Sequence, residues 1–191
     1  MMIVIGGSLG GAKVVYSILQ ALPKTFPHPV AITLHRSRDN QEEDGGMVEL
    51  LQKASLLPVR EPLDKEPILG GHVYLAPADY HLMVEPSGFS LSTDEPVQYA
   101  RPSIDVLFES AADSFDGETI GVVLTGANQD GAHGAACIRD RGGLVIVQDP
   151  TTAESPGMPQ SAIKATGTSH VYAPRDIGHF LARLGARAES K

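Results

Sequence analysis

Met2-Ile3-Val4-Ile5-Gly6-Gly7-Ser8-Leu9-Gly10-Gly11 opens the chain with an apolar run that passes into a glycine-rich hexamer. The stretch that follows, Ala12 to Leu22, places Val14, Val15, Ile18, Leu19 and Leu22 on one helical face. The order is strand, tight turn, helix. Ser8 stands at the apex of the turn in a G-x-S-x-G frame running from Gly6 to Gly10. A serine on such a turn exposes its hydroxyl above the end of a sheet, and the N–H groups of the following helix point at whatever the oxygen attacks. Glycine neighbours tolerate the backbone angles and leave room for a substrate. Turns of this kind also bind phosphate or simply redirect the chain, so the choice rests on the rest of the sequence.

Outward from that turn, strands and helices alternate. Val30–Leu34 reads as a second strand ending at His35, Asp39–Gly46 as an acidic surface loop, and Met47–Ala54 as a helix. From Pro58 to Leu91 short β pieces follow at Val73–Ala76, Leu82–Val84 and Phe89–Leu91, the last two forming a hairpin. Pro102 marks a helix start, and Ile104, Leu107, Phe108, Ala111, Ala112 and Phe115 recur at helical spacing. Ile120–Leu124 is a strand, followed by the turn Thr125–Gly131 and a small-residue helix to about Arg141. The spacing then predicts a strand at Leu144–Val147, a loop over Asp149–Gly157, a short helix, a strand at His170–Tyr172 and a helix near Ile177–Leu184. This is an α/β pattern: a mostly parallel sheet with helices on both faces and a local antiparallel hairpin.

The composition limits the function. A chain of 191 residues with 42% hydrophobic residues suits one domain with a real core. No apolar run reaches the roughly 18–20 residues of a bilayer span, and the start does not read as a signal peptide. The lone cysteine, Cys137, rules out an intrachain disulfide and a cysteine-rich zinc site. These features together point to the cytoplasm. A net charge of −8 with no basic block argues against a nucleic-acid partner, and the absence of Trp removes an obvious stacking platform for single strands.

In a parallel sheet, ligands bind beyond the C-terminal strand ends. The first strand delivers Ser8 to that rim, the second delivers His35, and the strand at Ile120–Leu124 leads to Asp130. These are the parts of a nucleophile, base and orienter set. Each has a plainer reading as well. Asp130 precedes a helix it could cap, Ser8 could cap the first helix, and His35 could be an ordinary polar residue opening a loop. A dinucleotide site would want G-x-G-x-x-G and an acidic residue at the end of the second strand, where this chain has His35. A P-loop is excluded, since no Lys-Ser or Lys-Thr follows the glycines. His72, His81 and His133 show no recognisable metal-ligand spacing.

With these residues in place, the chain resembles the catalytic domain of the chemotaxis protein-glutamate methylesterases. The likeness runs through Gly6–Gly11, the strand ending at His35, Gly71-His72-Val73-Tyr74-Leu75-Ala76-Pro77 and Arg101-Pro102-Ser103-Ile104-Asp105-Val106-Leu107-Phe108. It continues through Gly121-Val122-Val123-Leu124-Thr125-Gly126, Asp130-Gly131-Ala132, Gln148-Asp149 and Gly157-Met158-Pro159. The resemblance implies a three-layer α/β/α fold and a Ser8-His35-Asp130 triad that needs no cofactor and no metal. It implies hydrolysis of glutamate γ-methyl esters on a methylated chemoreceptor or similar signalling protein, with deamidation of glutamine in some members. It also implies a single catalytic domain over residues 1–191 without the usual receiver domain, which leaves regulation to a separate receiver protein as one option.

The chain departs from that family at several positions. Leu9 stands where the family has Thr, and Ala127-Asn128 where it has Met-Gly, so the backbone N–H groups of Leu9 and Ala127 are the expected oxyanion donors. Arg36-Ser37-Arg38 replaces a Met-Pro-Pro-like loop beside the expected substrate surface. These departures keep a second reading open, a non-catalytic signalling module that retains the cleft to hold a partner.

Overall fold

The computed structural model describes residues 1–35 and 41–188, with side chains at 1–35 and 46–185. The loop at Arg36–Arg38 lies outside the described residues. Strand β1 (Met2–Gly7) is followed by helix α1 (Gly11–Ala21), strand β2 (Val30–Leu34) and helix α2 (Gln41–Ala54). Next come strands β3 (Val59–Arg60), β4 (Val73–Leu75), β5 (His81–Glu85) and β6 (Gly88–Ser92), then helix α3 (Ile104–Phe115) and strand β7 (Thr119–Val123). Helix α4 (Ala132–Asp140), strand β8 (Leu144–Gln148), a short 3-10 turn (Pro150–Thr152), helix α5 (Gly157–Thr166), strand β9 (Val171–Tyr172) and helix α6 (Pro174–Ala188) complete the described chain.

Seven strands form one sheet in the order β3-β4-β2-β1-β7-β8-β9, every neighbouring pair parallel. The β5–β6 hairpin is a separate antiparallel pair. Alternate side chains of β1 feed two apolar layers. Ile3 and Ile5 join α1, α6 and the end of α2 on one face, whereas Met2 and Val4 join α3, α4, α5 and the hairpin on the other. A sheet covered on both faces needs apolar residues at nearly every strand position, and β1, β2 and β7 are buried throughout.

The expected α/β architecture with both faces covered and one local hairpin is therefore the observed one. Three local expectations change. Residues 41–46 of the predicted acidic loop are the first turns of α2, whose apolar stripe begins only at Met47, so hydrophobic periodicity shows no helix there. The first of the short β pieces, predicted at Val73–Ala76, is a strand of the main sheet, where it pairs with β2 and with the unpredicted two-residue β3. Helix α3 begins at Ile104 with Ser103, whose backbone is extended, as its N-cap, so Pro102 lies outside the helix.

Strand β1 is where the winding reverses. Its neighbours are β2 on one side and β7 on the other, and the helices after β1 and before β7 lie on opposite faces. The carboxyl ends of β2, β1 and β7 therefore open into a crevice at the switch point of the sheet. Two glycines let α3 settle over that end. A Cβ at Gly6 would clash with Ile104 Cγ2, and one at Gly131, whose φ is +90°, would lie 2.7 Å from the same atom. Ile104 is the first residue of α3, so these contacts place the helix N-terminus at the rim.

Candidate active site

Ser8 and His35 follow directly on strand ends, and Asp130 closes the loop between β7 and α4. Strand β1 pairs with β2 up to Gly7 opposite Leu34, and the His35 N–H donates to Gly7 O at 3.2 Å. Ser8 and His35 are the next residues on the two strands. On the other flank, the Ser8 N–H donates to Thr125 O at 2.9 Å, just past the end of β7. Gly126 makes this approach feasible, since a Cβ there would meet Met158 Cε at 2.5 Å and Ser8 Cβ at 3.0 Å.

Asp130 is fully buried. Its Oδ2 lies 2.7 Å from His35 Nε2 and accepts the Ile104 N–H at 2.8 Å. Its Oδ1 accepts the Ser103 hydroxyl and the Asp105 N–H, each at 2.9 Å. The carboxylate thus occupies the N-terminus of α3, where free N–H groups and the helix dipole favour negative charge. Burial acts to raise its pKa, but the hydrogen bonds from His35, Ile104 and Asp105 outweigh it and hold the group below the ordinary aspartate value. The plainer reading of Asp130 as a helix cap holds in kind, though not for its own helix. Gly131 is the N-cap of α4, and Asp130 caps α3. Ser8 likewise caps nothing with its side chain: Gly10 is the N-cap of α1, and the Gly11 N–H bonds to Ser8 O at 2.7 Å.

An ionised carboxylate only accepts hydrogen bonds, so His35 carries a proton on Nε2, and in the neutral ring Nδ1 is the nitrogen with the lone pair. The Ser8 hydroxyl is half-buried and forms no hydrogen bond among the described residues. The structure therefore joins His35 to Asp130 directly and sets Ser8 beside them through the backbone. The Leu9 and Ala127 N–H groups have no acceptor among the described residues.

Several supporting residues carried no predicted role in the site. The Thr125 hydroxyl faces Leu9 O at 2.9 Å and Ser155 O at 3.2 Å, and it accepts the Ser155 N–H. Together with the Ser8 N–H···O bond to Thr125, it holds the serine turn on both sides. Buried Gln148 accepts the Thr125 N–H through Oε1 and donates to Thr152 through Nε2. His81, also buried, faces Glu95 O through Nε2 and accepts the Ser103 N–H on Nδ1, which defines a neutral ring protonated at Nε2. None of these has a spacing signature. Buried polar residues in β-type stretches were the available hint.

Asp105, next to the site, is a second buried carboxylate. It accepts the Gly134 N–H at 2.8 Å and the Gln98 side-chain amide at 2.9 Å. Burial pushes its pKa up to about 6; the Gly134 bond opposes this, and the charge of Asp130 adds to it. The folded-state value lies above the ordinary one. Its contribution to stability is therefore complete below about pH 4 and is lost as the pH rises through about 6. Asp105→Asn removes that loss. Relative to wild type, the variant should gain on the order of 2–3 kcal/mol of unfolding free energy between about pH 4 and pH 7. Denaturant titrations across that range check it, and a pH-independent difference between the two proteins contradicts it.

A cleft of about 520 Å³ lies against His35, lined also by Gln98, Tyr99, Arg101, Pro102 and Asn128. A second cavity of about 480 Å³ continues from Gln98, Tyr99 and Asn128 past Ala127 to Gly157 and Ser161. Among the described residues, no cluster of His, Cys, Asp or Glu could hold a metal ion, and no helix is long and apolar enough to cross a membrane.

Comparison with known proteins extends these observations. The profile of the CheB methylesterase family matches residues 3–181. A provisionally named protein-glutamate methylesterase/protein-glutamine glutaminase of Leptospira interrogans is 44% identical over 183 residues, covering 95% of this chain and 93% of the relative. A protein-glutamate methylesterase/protein-glutamine glutaminase of Carboxydothermus hydrogenoformans is 40% identical, over 95% of this chain and 54% of its own length. The protein-glutamate methylesterase FrzG of Myxococcus xanthus is 38% identical, and the match covers 53% of it. The chain thus spans about half the length of the last two. The crystal structure of the Thermotoga maritima CheB methylesterase catalytic domain superposes with a TM-score of 0.89 at 33% identity, covering 96% of this chain and 97% of that one.

Proposed function

Because the chain belongs to the CheB methylesterase family, we propose that it hydrolyses glutamate γ-methyl esters on a chemoreceptor or similar signalling protein, with Ser8, His35 and Asp130 as its catalytic triad. The observation that carries this reading is the buried Asp130 carboxylate, bonded to His35 Nε2 at the strand end beside Ser8. Ser8 Oγ attacks the ester carbonyl while His35 Nδ1 takes the hydroxyl proton. Asp130 fixes the tautomer and stabilises the imidazolium. The N–H groups of Leu9 and Ala127 receive the oxyanion. The C–O bond to the methoxy group breaks, and methanol departs with the proton from His35. Water, deprotonated by His35, then attacks the acyl-enzyme, which releases the glutamate carboxylate and regenerates Ser8. With glutamine as substrate the same steps release ammonia.

The test combines two measurements. A fluorophosphonate probe should label Ser8, as located by peptide mapping. Mass spectrometry of a methyl-esterified receptor fragment incubated with the protein should show loss of the methyl groups, and it reports glutamine deamidation in the same spectrum. A protein that binds the fragment without labelling or demethylation would be a binding module, and the hydrolase reading would be abandoned.

A further inference from the structure

Val97-Gln98-Tyr99-Ala100 forms a two-residue turn closed by Val97 N–H to Ala100 O at 3.1 Å and Ala100 N–H to Val97 O at 2.9 Å. Both central residues have positive φ, +49° at Gln98 and +65° at Tyr99. Turns with this backbone normally carry Asn, Asp or Gly, because other side chains are strained there. Gln98 has a reason within the fold, since its amide donates to Asp105 Oδ2. Tyr99 has none. Its exposure is 103%, so the ring is buried against nothing in the described chain. It also lines both cavities, at the junction between the one that reaches His35 and the one that leads to Gly157 and Ser161. A strained backbone that holds an unsupported aromatic ring at the mouth of a site is accounted for by what the ring does to a ligand.

We propose that Tyr99 is a specificity-determining residue that grips the substrate chain beyond the scissile ester, with the second cavity receiving the side chain that flanks the esterified glutamate. The inference rests on the hydrolase reading for the identity of the substrate. The ester side chain fills the cleft at His35. The polypeptide carrying it continues past Asn128, and the Tyr99 ring packs on its apolar stems. Tyrosine suits this place, since it offers a large contact area at little cost in side-chain entropy and a hydroxyl that stays in water.

Two substitutions separate the ring from the turn. Tyr99→Asn keeps a residue at ease with positive φ and removes the ring, while Tyr99→Phe keeps the ring. In a Ser8→Ala background, binding of a fluorescein-labelled, methyl-esterified receptor fragment is read by anisotropy. Tyr99→Asn should weaken it about 10-fold, the scale of truncating an aromatic anchor, and Tyr99→Phe less than about twofold. The Tyr99→Asn protein should melt at the same or a higher temperature than its parent, because strain is relieved. With Ser8 present, KM for the fragment should rise about 10-fold while kcat stays within about twofold. Hydrolysis of p-nitrophenyl acetate, which carries no polypeptide for the ring to hold, should fall by a smaller factor than kcat/KM for the fragment. Unchanged Kd and KM overturn the proposal, as does an equal loss on the small ester or failure of the Ser8→Ala protein to bind the fragment. If Ser8 takes no fluorophosphonate, the hydrolase reading falls, and the Kd comparison still decides the role of Tyr99.

Discussion

Ser8→Ala should lower the rate of methanol release from a methyl-esterified receptor fragment by on the order of 10⁴–10⁶ and leave the fold intact. The two halves of this expectation have separate physical grounds. The Ser8 hydroxyl forms no hydrogen bond among the described residues, so its removal costs folding little. A change of this kind stays within about 0.5 kcal/mol. The turn is held instead by backbone groups, the Ser8 N–H to Thr125 O and the Gly11 N–H to Ser8 O, and alanine keeps both. On the proposed mechanism, the chemical loss is that of the nucleophile. Activity that persists in the variant would be that of the proposed donors, the N–H groups at Leu9 and Ala127, polarising the carbonyl toward direct attack by water. Glutamine deamidation should fall in parallel, since the proposed mechanism takes it through the same acyl-enzyme. A variant within about tenfold of wild type would remove Ser8 from the mechanism.

Asp130→Asn should be damaging twice over. All four acceptor positions of the carboxylate face donors: His35 Nε2 and the Ile104 N–H on one oxygen, the Ser103 hydroxyl and the Asp105 N–H on the other. An asparagine amide must turn its NH₂ group toward one of these pairs, so at least one donor meets a donor in a site without water access. Leaving buried N–H groups unpaired and losing a charged acceptor should cost about 2–4 kcal/mol of stability. The same change removes the negative charge that selects the Nε2-protonated tautomer of His35, and activity should drop by about 10³–10⁴. Circular dichroism during thermal unfolding reads the first effect, and methanol release well below the melting temperature reads the second. Unaltered stability would show that the helix N-terminus does not depend on the carboxylate.

The Asp130 prediction shows where sequence reading stops. Ser8, His35 and Asp130 are legible as candidates because each follows an apolar run, and strand ends in a parallel sheet share one rim. Nothing in their spacing states that Asp130 binds the helix beginning at Ile104, or that His81 and Ser103 brace that helix start. Those contacts join residues more than twenty positions apart, and no local propensity encodes them. The predicted loop at 41–46 failed for a different reason: the opening of α2 carries acidic residues and glycines, and no apolar period shows in the sequence before Met47. Strand β3 was invisible because its two residues owe their conformation to β4 and carry no pattern of their own.

The alternation of apolar runs with glycine-marked turns is a local property, governed by backbone sterics and by the period at which side chains leave the main chain. The strand-turn-helix start, the α/β class and the three polar residues at strand ends were therefore readable from the order of residues alone. Which nitrogen of His35 meets a carboxylate, why that carboxylate stays ionised while fully buried, and where Tyr99 presents its ring are consequences of packing. They arise when α3 lowers its N-terminus onto Gly6 and Gly131, because charge and hydrogen bonds in a water-poor crevice depend on groups brought together from distant parts of the chain.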